Sequence, residues 1–114
     1  MLPKKLVAAT AEPLVLSLLA RGPHYGYELI QEMASRSGGR VAWKANRLYP
    51  LLHDLENRGL VTAQWQEQPN GRQRKYYHLT PAGEQAVASV RSDWFAFHQL
   101  LCTLWDVDAS PQPG

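Results

Sequence analysis

The sequence predicts a mainly α fold carrying one small β-hairpin, an α+β arrangement, and three observations support it. Leu48, Leu51, Leu52 and Leu55 repeat at helical spacing. The period then changes to alternation at Val61, Ala63 and Trp65, with Pro69-Asn70-Gly71 as a turn and residues 75–79 as the returning strand. Finally, Thr80-Pro81 opens a long apolar-periodic stretch that reaches about Trp105.

Taken in order, the first helix lies within residues 3–21, where Leu14, Val15, Leu18 and Leu19 define an inward face. Pro13 leaves two readings open. Either Thr10 caps a helix with Pro13 in its first turn, or a longer helix kinks at Pro13. Gly22-Pro23 ends it. The second helix starts near Tyr25 and runs to about Arg36 on a stripe of Leu29, Ile30 and Met33, closed by Ser37-Gly38-Gly39. The third covers residues 46–58, with Asn46 as the expected cap, Pro50 near the first turn and Gly59 as the stop. In the returning strand, Tyr77 and Leu79 share one face. Helix, helix, helix, hairpin, helix is the winged helix-turn-helix layout with an added C-terminal helix. Residues 1–80 form the winged unit, 81–108 the C-terminal helix, and 109–114 a disordered tail.

Composition narrows the function. At 114 residues the chain holds one compact core. Its formal net charge is only +2, but the basic residues are clustered. Arg36, Arg40, Lys44 and Arg47 fall in one stretch without an acid, and Arg72, Arg74 and Lys75 in another. The lone Cys102 excludes an internal disulfide, and His24, His53, His78 and His98 have no ligand-spaced partners, so neither metal nor cofactor is expected. Lys4 and Lys5 before residues 14–20 imitate a weak signal peptide, but Glu12 and Pro13 interrupt it. No apolar run approaches the ~20 residues of a membrane span, so a cytoplasmic protein without membrane contact is expected. No nucleophile–base set, phosphate loop or carboxylate pair points to an enzyme.

Two constellations remain. With its leucines buried, the third helix turns Asn46, Arg47, Tyr49, His53 and Asp54 outward, preceded by Lys44. A recognition helix reads base edges in the major groove with residue types of this kind. Ordinary polar residues on a solvated helix face would look the same. The hairpin tip Asn70-Gly71-Arg72-Gln73-Arg74-Lys75 separates the two readings, because a basic wing beside such a helix is suited to phosphates or the minor groove. In the last helix, Val87, Val90, Trp94, Phe97, Leu101 and Leu104 are spaced 3, 4, 3, 4, 3. That is a heptad seam, and a partner helix in a homodimer would bury it. Phe95, Leu100 and Trp105 widen the apolar surface.

Four collinear blocks carry a family resemblance. Gly22-Pro23-His24-Tyr25-Gly26-Tyr27-Glu28-Leu29, Leu48-Tyr49-Pro50-Leu51-Leu52, Leu55-Glu56-Asn57-Arg58-Gly59-Leu60-Val61 and Arg74-Lys75-Tyr76-Tyr77-His78-Leu79-Thr80 resemble the PadR family signature. The single C-terminal helix resembles the small subtype, whose members dimerise through it. The resemblance implies a homodimeric repressor on a palindromic double-stranded operator, released in some members by a small hydrophobic or aromatic effector. By the resemblance Lys44, Asn46, Arg47, Tyr49, Arg72 and Arg74 would contact DNA, and Tyr25, His53 and Lys75 complete the candidate DNA-binding set. Asn46-Arg47 departs from the small residues common before Leu-Tyr, so no operator sequence carries over. Trp94 is either dimer core or the stacking wall of an effector pore, with Phe97 and Val90 beside it. The alternative function is a winged-helix protein–protein interaction module without specific DNA binding.

Overall fold

A computed structural model describes residues 1–108, so the tail expected at 109–114 lies outside the described residues. Seven elements follow in order: α1 (Lys4–Leu19), β1 (His24–Tyr25), α2 (Gly26–Arg36), α3 (Ala45–Asn57), β2 (Val61–Glu67), β3 (Gln73–Leu79) and α4 (Pro81–Leu104). The helix order and the hairpin are those the periodicities predict. The two-residue β1 is new. It pairs antiparallel with β3 and makes a three-stranded sheet of order β1-β3-β2. No helix among the described residues is long and apolar enough to cross a membrane.

The first helix is the longer of the two alternatives, continuous from Lys4 to Leu19 with Pro13 inside it. Thr10 does not cap; its hydroxyl donates to the Leu6 carbonyl at 2.7 Å within one helix that runs through Pro13. Asn46 is not a cap either. Lys44 occupies that position, with no side-chain capping bond, and Asn46 lies inside the first turn. Pro50 then falls beyond the first turn, where its missing N–H leaves the Asn46 carbonyl without a helical donor.

Val15 and Leu16 of α1, Leu29 of α2, Leu52 and Leu55 of α3 and Val61 of β2 are fully buried. Burial of each is worth on the order of 1.5–3 kcal/mol, so these six residues hold three helices and the root of the hairpin together. Leu51, expected on the same face, is only half-buried at its edge. The hairpin outruns this core. Alternation puts Trp65 on the Val61 face, yet its indole is 65% exposed because burial fades along β2 after Ala63. At the tip, Gly71 adopts φ 83°, a left-handed conformation that favours glycine, and Arg72 N–H donates to Asn70 Oδ1 at 3.0 Å.

Helix α4 is fixed at its root. The Thr80 hydroxyl accepts from Gly83 N–H at 3.1 Å, as the sequence predicts for a cap, and donates to the Gly59 carbonyl at 2.6 Å. Gly83 is pressed so close to the Leu60 carbonyl that a Cβ there would overlap the oxygen. Beyond Val87 the helix leaves the core, and every residue from 91 to 100 is exposed. The heptad positions therefore have unequal surroundings. Val87 is buried in the protomer's own core, Val90 and Leu101 are half-buried, and Trp94, Phe97 and Leu104 are exposed. The difference follows position along the axis, since Val87 lies at the rooted end against the core while residues 91–100 run beyond it.

Two substitutions test this root. Thr80→Ala should lower unfolding free energy by about 1 kcal/mol through the lost cap. Gly83→Ala should cost about 1–3 kcal/mol through overpacking against the Leu60 carbonyl. Urea titration of both variants checks the pair, and a Gly83→Ala protein as stable as the parent would remove the close packing from the account.

Candidate nucleic-acid interface

Burial of Leu48, Leu52 and Leu55 leaves Lys44, Asn46, Arg47, Tyr49 and His53 exposed along the N-terminal half and middle of α3. Tyr49 packs back against α2. Its ring lies directly on Gly26, the first residue of α2, where any Cβ would strike it. The contact packs α3 against the start of α2, and a side chain at position 26 would push the Tyr49 ring aside.

The preceding residue reaches the wing. Tyr25 pairs with Tyr76 across β1 and β3, and their rings meet edge to face at 5.4 Å and 75°. Over the Tyr25 ring, 4.5 Å from its centroid, lies the Arg74 guanidinium. Contacts thus run from Tyr49 of α3 through Gly26 and its neighbour Tyr25 to Arg74 of the wing.

Lys75 does not join them. Neighbouring strand residues point to opposite faces, so Lys75 turns away from Arg74. Its Nζ lies 3.6 Å from Glu56 Oε1 and 5.4 Å from the Tyr77 ring centroid. Its charge is directed at the protein. Arg36 and Arg58 are similarly committed: Arg36 donates to Glu32, and Arg58 binds both Asp54 and Glu12. By contrast Lys44, Arg47, Arg72 and Arg74 have no acidic partner among the described residues. Lys4, Lys5, Arg21, Arg40 and Arg91 likewise have no acidic partner among the described residues, so what sets these four apart is their exposed position on α3 and the wing.

Beneath this surface, the His24 ring is clamped. Its Nδ1 lies 2.7 Å from the Gly22 carbonyl oxygen and its Nε2 2.6 Å from Glu32 Oε2. Glu32 also accepts from Arg36 Nε at 2.8 Å. The Arg36 hydrogen bond first, and the His24 bond second, hold the Glu32 carboxyl below its ordinary value. Sequence periodicity gave no sign of this pair, because residues 24 and 32 belong to different elements.

A second feature lies between α1 and α4. An open groove of about 550 Å³ is lined by Thr10, Pro13 and Leu14 on one side and by Val90, Trp94 and Phe95 on the other. Phe97, expected beside Trp94 as a wall, is outside the groove and touches Trp94 edge-on at 5.9 Å. Phe95 lines this groove within one protomer, a placement that depends on how α1 packs against α4.

Three helices, a basic wing tied to their start and an exposed recognition-type helix define a winged helix-turn-helix protein. Residues 15–89 match the PadR-like family of transcriptional regulators, and the chain belongs to that family. It is a family of regulators, not of enzymes. The chain is 43% identical over 67 residues to a transcriptional regulator of Mycobacterium tuberculosis, covering 59% of each. It is 29% identical over 87 residues to the negative transcriptional regulator PadR of Bacillus subtilis, covering 76% of this chain but only 46% of that one. A structure of that PadR with operator DNA shares the fold, with TM-score 0.65 and 23% identity over 91% of this chain and 50% of that chain. A PadR family regulator from Eggerthella lenta superposes with TM-score 0.77 at 33% identity, covering 91% and 88% of the two chains.

The Glu32 contacts predict an acid dependence. The folded carboxyl lies below its ordinary value of 4.5, so its contribution is present above that value and is lost as pH falls through the depressed folded value. Glu32→Gln should flatten this part of the stability profile, read from urea midpoints between neutral and acid pH. An unchanged acid limb would show that other groups dominate it.

Proposed function

We propose that this protein binds an inverted-repeat operator as a homodimer and represses transcription. The observation that carries the reading is the exposure of Lys44, Arg47 and Tyr49 on α3, with Tyr49 against Gly26 and the neighbouring Tyr25 under Arg74 of the basic wing. In this reading Asn46, Arg47, Tyr49 and His53 face base edges, while Lys44 and the wing arginines hold phosphates. The operator complex of the Bacillus subtilis relative and that protein's description as a negative regulator support DNA binding and repression. The cytoplasm, where such a regulator meets its DNA, is the compartment this reading implies.

The test is a gel shift across salt concentrations with duplexes that the protein itself selects from a random pool. Counterion release makes affinity fall steeply with salt. Replacing both Arg72 and Arg74 with Ala should weaken binding to every sequence and reduce the log–log salt slope by about 2. No binding, or binding indifferent to salt, favours the protein–protein interaction module instead.

Residues 81–108 supply the dimer contact in this reading. Trp94, Phe95, Phe97, Leu100, Leu104 and Trp105 are all exposed on α4, more apolar surface than one protomer covers. A partner's α4 lying on this surface and along the α1–α4 groove would bury it, and two-fold symmetry would present two recognition helices. Phe97 is a clean probe because it is 50% exposed and outside the protomer core. Phe97→Glu should give folded monomers in sedimentation velocity, and a persisting dimer would move the interface elsewhere.

A flat aromatic effector is the second reading, favoured by the groove in which Trp94 and Phe95 face Leu14. Planar aromatic drugs should then quench fluorescence in the parent and not in Trp94→Phe. A signal independent of Trp94 would leave that residue as dimer core.

A further inference from the structure

We propose that Tyr25 is a positioning residue, which holds Arg74 of the wing in the orientation it needs for DNA and does so from the start of the recognition unit. The proposal rests on the DNA-binding reading above and assigns the role of one residue within it.

The wing is a two-stranded ribbon whose outer half has no core behind it. A long cation on such a ribbon would sample many rotamers, and ordering it on binding would cost affinity. Arg74 is restrained at two points. Its guanidinium covers the Tyr25 ring at 4.5 Å, and its Nη1 donates to Gln68 Oε1 at 3.4 Å. Arg74 and Tyr76 lie on the same face of β3, two residues apart, and the Tyr25 ring contacts both.

Tyr25 is itself held from both sides. On one side is His24, buried between the Gly22 carbonyl and Glu32, and on the other is Gly26, covered by Tyr49. Its backbone is fixed by α2 and α3, so the wing cation is referenced to the same elements that carry the recognition residues. The distance between a base-reading helix and a phosphate-holding wing is then set by a side-chain stack as well as by the sheet.

The other role open to Tyr25 is a direct hydroxyl contact to phosphate. A double-mutant cycle separates the two, using the intact protein and a duplex selected by it from a random pool. Tyr25→Phe retains the ring and should bind within about twofold of the parent. Tyr25→Leu should weaken binding about three- to tenfold. The double variant with Arg74→Ala should bind no more weakly than Arg74→Ala alone, since the two residues act as one unit. Equal losses in Tyr25→Phe and Tyr25→Leu, or losses that multiply with Arg74→Ala, would overturn the proposal in favour of an independent contact.

A DNA-free measurement accompanies the cycle. The Arg74 Nε–H resonance should be ring-current shifted in the parent and in Tyr25→Phe and should relax in Tyr25→Leu. An Arg74 resonance unmoved by Tyr25→Leu overturns the proposal alone and leaves the DNA reading standing. If Arg74→Ala binds DNA as tightly as the parent, the wing leaves the DNA reading and the proposal fails with it.

Discussion

The leucine face of α3 is the constraint from which the remaining geometry follows. Leu48, Leu52 and Leu55 are inserted among residues of α1 and α2, with Leu52 and Leu55 fully buried. Rotating α3 about its axis would expose them at a cost on the order of 1.5–3 kcal/mol each, comparable in total to the stability of a small domain. The helix is therefore held in one orientation. Asn46, Arg47, Tyr49 and His53 face outward because their neighbours cannot, and the polar surface is a by-product of the packing.

The second level of organisation is the start of α2. Gly26 lets Tyr49 close onto the backbone, while Tyr25 pairs with β3 and carries Arg74 on its ring. His24 holds the turn from beneath through Gly22 and Glu32. Three consecutive residues thus make three contacts with three different parts of the chain. A two-residue strand has few backbone hydrogen bonds of its own, so the aromatic and buried polar contacts around it matter for holding the wing.

Charge and exposure then divide the molecule. Arg36, Arg58 and Lys75 are drawn into ion pairs with the protein's own carboxylates, whereas Lys44, Arg47, Arg72 and Arg74 on the candidate interface are not. At the far end, α4 carries Phe97, Leu104 and Trp105 into solvent, each at least half exposed. Neither surface is explained by the stability of one protomer, since unpaired like charges repel and large exposed apolar groups gain nothing from folding. In the proposed function an anionic partner meets the wing and a second copy of the chain covers α4.

Much of this was legible from the chain alone, because it depends on period and turn chemistry. Leucine spacing gave α3, alternation gave β2 and β3, Thr80-Pro81 gave the start of α4, and the order of these elements gave the winged helix-turn-helix. Position along the chain also clustered the basic residues. What a side chain touches was not legible, since that depends on residues far away in sequence. Alternation could not show that the hairpin leaves the core before Trp65, nor that Lys75 turns towards Glu56 while Arg74 turns towards Tyr25. Heptad spacing could not show that Val87 belongs to the protomer's own core while Phe95 faces the groove. Local periodicity determines which elements form and which residues share a face. Only the packing of those elements decides which faces are covered, which charges are neutralised and which are left for a partner.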